Sequence, residues 1–129
     1  MKSGNSLVGN GRILIVEDDA GLAEILSLML SNYNLIIATN GEKAVQLYKV
    51  YKPDLVLMDI MLPGMNGIEA TKKILEIDPE AKVVGITAFG RRWGKDLLEA
   101  GAIDIVDKPF RKKELIEVVE RHLNEKVDF

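Results

Sequence analysis

The sequence predicts an α/β fold in which five parallel strands form a doubly wound sheet that helices cover on both faces. Five short apolar runs recur along the chain, and each is followed by a segment with the apolar spacing of an amphipathic helix. Parallel neighbours need crossover connections, and right-handed crossovers place the helices over both faces of the sheet. With 129 residues, 47% of them hydrophobic, the chain is predicted to form one globular domain.

The same patterns give the bounds of the elements. The predicted strands cover residues 13–16, 35–38, 55–58, part of 81–86, and 103–106. The predicted helices cover about residues 22–30, 42–51, 68–77, 95–100 and 112–123. Residues 1–11 are rich in glycine, asparagine and serine and are expected to form a flexible lead-in. With a short tail at 125–129, the predicted domain covers residues 12–124.

Composition excludes several classes of function. The chain has no cysteine, which excludes disulfides, thiolate metal sites and cysteine nucleophiles and suits a reducing cytosol. A net charge of −3 and a pI near 5.2 do not favour direct binding of nucleic acid or of anionic membranes. No apolar run approaches the roughly 18 residues of a membrane span. We therefore expect a cytoplasmic protein without membrane insertion.

Acidic side chains follow two of the predicted strands. Asp59 ends the third apolar run and precedes proline and glycine turn residues, whereas residues 17–19 (Glu-Asp-Asp) follow the first run. In a flavodoxin-like sheet of order 2-1-3-4-5, the order reverses between the first and third strands, so these acids should share one crevice. Asp19 is also expected to cap the next helix. Crowded carboxylates repel one another without a cation, and their oxygens suit Mg²⁺ or Mn²⁺.

A hydroxyl group and an ammonium group are predicted at the same edge of the sheet. Thr87 ends the fourth apolar run, and Lys108 follows the fifth. A carboxylate, a hydroxyl, an ammonium group and a divalent cation are together typical of a phosphoryl-transfer site, where the protein positions groups and offsets negative charge. Asp59 is the predicted nucleophile.

These motifs resemble those of the response-regulator receiver domains of two-component signalling, over about residues 12–124. The resemblance rests on the acidic run at 15–19, the segments 39–44 and 63–67, and Asp59, Thr87 and Lys108 in this order. It implies that Asp59 accepts a phosphoryl group from a sensor histidine kinase or a histidine phosphotransfer protein, and that an unspecified effector protein reads the result. It also implies the ligands of Mg²⁺ or Mn²⁺, which are Glu17, Asp18 as a direct ligand, Asp59, and the backbone carbonyl of Met61.

The resemblance also implies a conformational switch. Thr87, followed by Ala88, would turn its hydroxyl toward the phosphoryl group, Lys108 would bind a phosphoryl oxygen, and Pro109 would follow a cis peptide bond. Ile105 stands where many family members carry an aromatic residue or histidine that changes rotamer, so the fifth strand is expected to change little.

The segment between Thr87 and Lys108 is about one residue shorter than in familiar family members, which predicts a fourth helix that starts late or is irregular. We expect phosphorylation to reorder residues 88–95 instead of the fifth strand. The surface that a partner reads would then comprise Phe89, Arg91, Arg92 and Trp93, with Lys95 beside them. His122, the sole histidine, is interpreted as a solvated residue of the last helix.

Other classes of protein fit less well. A flavin mononucleotide protein needs a phosphate loop after the first strand, where this chain has three acids. A haloacid-dehalogenase-type phosphatase needs a second acid two residues after the nucleophile, where this chain has Met61. Two alternatives stay open, namely a receiver domain cut from a hybrid kinase or a DNA-binding regulator, and a pseudo-receiver that acts without phosphorylation.

Overall fold

Strands and helices alternate along the chain, as the sequence predicts. The computed structural model describes residues 11–88 and 90–123, and the backbone only at 90–92. The elements are β1 Arg12–Val16, α1 Ala20–Met29, β2 Asn34–Ala38, α2 Gly41–Tyr51, β3 Leu55–Asp59, α3 Gly67–Ile77, β4 Val83–Thr87, α4 Gly90–Glu99, β5 Asp104–Asp107 and α5 Lys112–Leu123. All strand pairs are parallel and the sheet order is β2-β1-β3-β4-β5, which confirms the predicted fold class.

The sheet separates two hydrophobic cores. Successive side chains of a strand point to opposite faces, so Val56 and Met58 of β3 pack with α2, α3 and α4, whereas Leu55 and Leu57 pack with α1 and α5. All four side chains are at most 1% exposed. A strand buried on both faces must be apolar throughout, and this is why β3 is a continuous apolar run up to Asp59.

The predicted start of the fourth helix, near Lys95, is wrong. The helix begins at Gly90, five residues earlier, and is not delayed by the short connection. Its first turns contain two glycines and two arginines and therefore show no apolar periodicity in the sequence. The helix is stabilised by tertiary packing, because Leu97 is fully buried against β4 and Gly94 lies against Ile105 of β5. Residues 90–95 are therefore helical, whereas Phe89 and the side chains of Arg91 and Arg92 lie outside the described residues.

Helix caps fix the carboxyl edge of the sheet. The carboxylate of Asp19 accepts a hydrogen bond from the Leu22 N–H at 3.1 Å, which confirms the predicted cap of α1. Asn66 and Glu69 form a capping box at the start of α3.

Within the described part of the chain, no helix is long and apolar enough to cross a membrane. The expected lead-in at 1–10 and the residues from 124 onward lie outside the described residues.

Candidate functional site

Three carboxylates meet at the carboxyl ends of β1 and β3. Oxygen atoms of Glu17, Asp18 and Asp59 all lie within 4.8 Å of one another. Asp18 is exposed, whereas Glu17 is 3% and Asp59 5% exposed. The predicted convergence of these acids is therefore found, and the structure adds that two of the three are buried.

Lys108 lies against the two buried acids. Its ammonium nitrogen is 3.5 Å from Oε1 of Glu17 and 3.6 Å from Oδ2 of Asp59. Its backbone N–H donates to the Thr87 carbonyl at 2.8 Å, which ties the chain after β5 to the end of β4. The Lys108–Pro109 peptide bond is cis, as predicted. The fold thus places one cation at the buried side of the acidic group.

Asp59 is held in place by the turn that follows it. The Met61 N–H donates to Oδ1 of Asp59 at 3.3 Å, and the Gly67 N–H donates to the Ile60 carbonyl at 3.0 Å. A Cβ atom at Gly67 would come within 2.1 Å of the Asp59 carbonyl oxygen, so only glycine allows α3 to start this close to β3. The sequence placed Gly67 only in the turn segment 63–67, and the close approach of α3 to the Asp59 carbonyl appears only in the fold.

The protonation of Glu17 is unusual. Burial, with a smaller contribution from the nearby charge of Asp59, raises the pKa of its carboxyl from an ordinary 4.5 to about 7. The backbone N–H of Asp19, 3.2 Å from Oε2, and the ammonium group of Lys108 act in the opposite direction without offsetting burial. The ionised form of Glu17 is therefore destabilised in this site, and a bound cation that prefers hard oxygen ligands would stabilise it.

The remaining predicted switch residues lie at the ends of β4 and within β5. Thr87 is 1% exposed and Ala88 is exposed just after it. Ile105 is half-buried and packs under α4, where its side chain faces both Gly85 and Gly94. The half-buried side chain at position 105 therefore lies near two glycines, on the α4 face of the sheet.

Two other candidates, His122 and Trp93, are both partly buried. The interpretation of His122 as a solvated residue is wrong: its side chain is 12% exposed and its Nε2 lies 3.0 Å from a carboxylate oxygen of Asp104. Trp93 packs against the core and lines a groove of about 500 Å³ that Asp18 and Met61 also line. Trp93 is thus both a packing residue and part of the rim of the acidic site.

Comparisons with known proteins agree with this geometry. The family model of the response regulator receiver domain matches residues 13–120. The chemotaxis protein CheY of Thermotoga maritima is 40% identical over 114 residues, which cover 85% of this chain and 95% of that protein. The DNA-binding response regulator MtrA of Mycobacterium tuberculosis is 40% identical over 120 residues, which cover 91% of this chain but only 52% of that protein.

A solved structure extends the comparison to the site. The receiver domain of a sensor histidine kinase from Pseudomonas aeruginosa, which has a magnesium ion coordinated in its active site cleft, superimposes with a TM-score of 0.84. Its identity is 28%, and the match covers 88% of this chain and 98% of that one. The family model, the relatives and the strand order all lead to one assignment: this chain belongs to the response-regulator receiver domains.

Proposed function

We propose that Asp59 accepts a phosphoryl group from a phosphohistidine of a sensor histidine kinase or a histidine phosphotransfer protein. The observation that carries this proposal is the position of the Asp59 carboxylate, which lies at the end of a buried strand, 3.6 Å from the ammonium group of Lys108. A carboxylate held this way is available as a nucleophile, and the ammonium group is placed to offset the charge of an incoming phosphoryl group.

The transfer is a substitution at phosphorus. A carboxylate oxygen of Asp59 forms the new bond to phosphorus while the bond between phosphorus and the donor's imidazole nitrogen breaks. The nitrogen keeps the electron pair and ends as neutral imidazole after protonation. Hydrolysis of the resulting acyl phosphate by water restores Asp59 and releases inorganic phosphate, so the chain acts on itself rather than on a separate substrate.

The residues at the acidic site fit a magnesium ion. Glu17, Asp18 and Asp59 supply hard oxygen atoms within one small volume, and the Met61 carbonyl is the fourth protein ligand that we propose. Such an ion, when bound, offsets the negative charge of the carboxylates and of the phosphoryl oxygens. The raised pKa of Glu17 supports this assignment, because a carboxyl that resists ionisation would be stabilised as a carboxylate by a bound cation.

The proposed switch uses Thr87. Its backbone carbonyl already accepts from the Lys108 N–H, so a change at Thr87 acts on the same segment that holds the ammonium group and Pro109. The small, exposed Ala88 next to it leaves room for a hydroxyl to turn toward a phosphoryl group. Because Ile105 is stiff at χ1 and lies against Gly85 and Gly94, the change should pass to α4 and the segment before it rather than to β5.

The decisive experiment is phosphorylation of the purified chain by acetyl phosphate with Mg²⁺, followed by intact-mass measurement. The wild type should gain one phosphoryl group, and Asp59→Asn should gain none. Asp96→Asn, which changes an exposed aspartate of α4, is the matched control and should label like the wild type. Equal labelling of Asp59→Asn would overturn the assignment, and absence of labelling in all three proteins would favour a pseudo-receiver.

A further inference from the structure

The two edge strands of the sheet differ in how well they are protected against pairing with another chain. β5 has an acidic residue at each end, and its Asp104 lies 3.1 Å from Arg121 and 3.0 Å from His122. β2, at the other edge, has the sequence Asn-Leu-Ile-Ile-Ala and carries no charged residue. Charges on an edge strand oppose pairing with another chain, so β2 is the edge that permits it.

The outer side of β2 presents backbone hydrogen-bonding groups. The Asn34 N–H donates to the Gly11 carbonyl, and the Ala38 carbonyl accepts from the Glu17 N–H, each at 3.0 Å. Residues 34, 36 and 38 therefore face β1, and by the alternation of a parallel ladder Leu35 and Ile37 direct their backbone groups outward. No other strand among the described residues pairs with this side. The side chain of Ile37 is also 42% exposed.

A groove runs between this edge and one row of α2. The row consists of Lys43, Leu47 and Tyr51, which are four residues apart and lie on one side of the helix. Together with β2 residues 34–37 and Arg12 they line a groove of about 530 Å³. Its apolar lining residues are Leu35, Ile36 and Ile37 of β2 and Leu47 of α2.

A cation stands at each end of the groove. Arg12 pairs with Asn34 at the start of β2 and places its guanidinium group 5.5 Å from the Tyr51 ring centre, while Lys43 lies two turns away along α2. None of the described residues that line the groove is acidic. Asp54, which binds the Arg12 backbone N–H at 2.9 Å, lines a neighbouring depression, and Glu42 precedes Lys43 in α2. The groove thus combines an apolar centre with positive ends.

We propose that the β2 edge binds an extended segment of a partner protein by strand addition, and that this segment has apolar residues in its centre and acidic residues at both ends. The five residues of β2 span about 17 Å, which sets the distance between the two acidic positions. A second copy of this chain fits less well, because antiparallel pairing of two β2 strands would bring Arg12 of one copy toward Lys43 of the other. None of the residues that line the groove belongs to the acidic site.

The test is an NMR titration of the full chain with a designed peptide of seven residues, blocked at both ends, in which three central valines are flanked by two glutamates on each side. We expect shift changes and slower amide exchange at Leu35 and Ile37, together with shift changes at Leu47 and Tyr51. The same peptide with lysines in place of glutamates should bind at least about threefold more weakly.

Matched variants locate the surface. Lys43→Glu should weaken binding by at least about threefold, while Lys49→Glu, an exposed lysine of α2 outside the groove, should not. Ile37→Lys should abolish binding, whereas Ile103→Lys, at a side chain of nearly equal exposure (41%), should leave it unchanged. Shift changes at another surface, equal binding of the lysine peptide, or concentration-dependent shifts at β2 without peptide would each overturn the proposal.

Discussion

The ammonium nitrogen of Lys108 lies 3.6 Å from Oδ2 of Asp59, although the two residues are far apart in the sequence. Lys108→Ala should leave Mg²⁺ affinity largely unchanged, because no proposed ligand is removed. The rate of phosphoryl transfer should fall by at least about tenfold, because the variant lacks the ammonium group that would offset the negative charge of the phosphoryl oxygens during transfer. Stopped-flow phosphorylation and Mg²⁺ titration check this, with exposed Lys112→Ala as control. Lost Mg²⁺ binding with normal transfer would contradict it.

The raised pKa of Glu17 predicts how stability depends on pH. Between its ordinary pKa of 4.5 and its folded pKa of about 7, the folded state holds a proton that the unfolded state releases. The free energy of unfolding of the metal-free protein should therefore fall as pH rises through this window, by at most about 3 kcal/mol. Urea unfolding of wild type and Glu17→Gln measures this: the variant should lack the slope and be the more stable protein at about pH 8. Parallel pH profiles of the two proteins would refute it.

Magnesium should counteract this loss of stability. Because Mg²⁺ requires ionised carboxylates, millimolar Mg²⁺ should raise the melting temperature more at about pH 8 than at about pH 5. Asp18→Asn should reduce the shift, whereas Glu24→Gln, an exposed acid of α1, should not. An equal shift at both pH values would indicate binding elsewhere on the surface.

Trp93 should report on the acidic site. It is the sole tryptophan of the chain, and it lines a groove together with Asp18 and Met61. Addition of Mg²⁺, and then of beryllofluoride as a phosphoryl mimic, should change its fluorescence. The change should disappear in Asp18→Asn and persist in Glu24→Gln. If the signal is the same in Asp18→Asn as in the wild type, Trp93 does not sense this site.

Thr71 carries a buried hydroxyl without a partner among the described residues. The residue is fully buried in α3, and its Oγ1 makes no hydrogen bond there. Thr71→Val keeps the shape and removes the desolvated hydroxyl, so it should raise the free energy of unfolding by about 1 kcal/mol. Thr71→Ser, which keeps the hydroxyl and loses a methyl group, should lower it. A destabilised valine variant would mean that the hydroxyl is satisfied in solution.

Two buried glycines near Ile105 should respond oppositely to alanine. At Gly94 a Cβ atom would make ordinary contacts with Ile105 at 3.8 Å, so Gly94→Ala should stabilise the protein by up to about 1 kcal/mol through helix propensity. At Gly85 the Cβ atom would lie 1.9 Å from Leu97, so Gly85→Ala should destabilise by about 1–3 kcal/mol. Thermal unfolding compares them, and a destabilised Gly94→Ala would show that α4 approaches β5 more closely than this.

The sequence by itself determined the order of the elements, the strand that delivers Asp59, and the cap at Asp19. These features depend on local chemistry: apolar period, turn residues and a side chain that binds a nearby backbone N–H. The convergence of Glu17 and Asp18 with Asp59 also followed, because the rule for parallel sheets predicts where the carboxyl ends of β1 and β3 meet.

Tertiary structure decided what depends on contacts between distant segments. The start of α4 at Gly90 follows from packing on β4 and β5, which outweighs two glycines in its first turns. The His122 side chain is mostly buried and pairs with Asp104, a residue of β5 that is distant from it in the sequence. The close approach of Gly67 to the Asp59 carbonyl also depends on tertiary packing. So does the burial of Glu17, whose neighbour Asp18 is exposed. The burial of a side chain and its charged neighbours depend on residues that are distant in the sequence. For that reason the raised pKa of Glu17 could be inferred only from the fold.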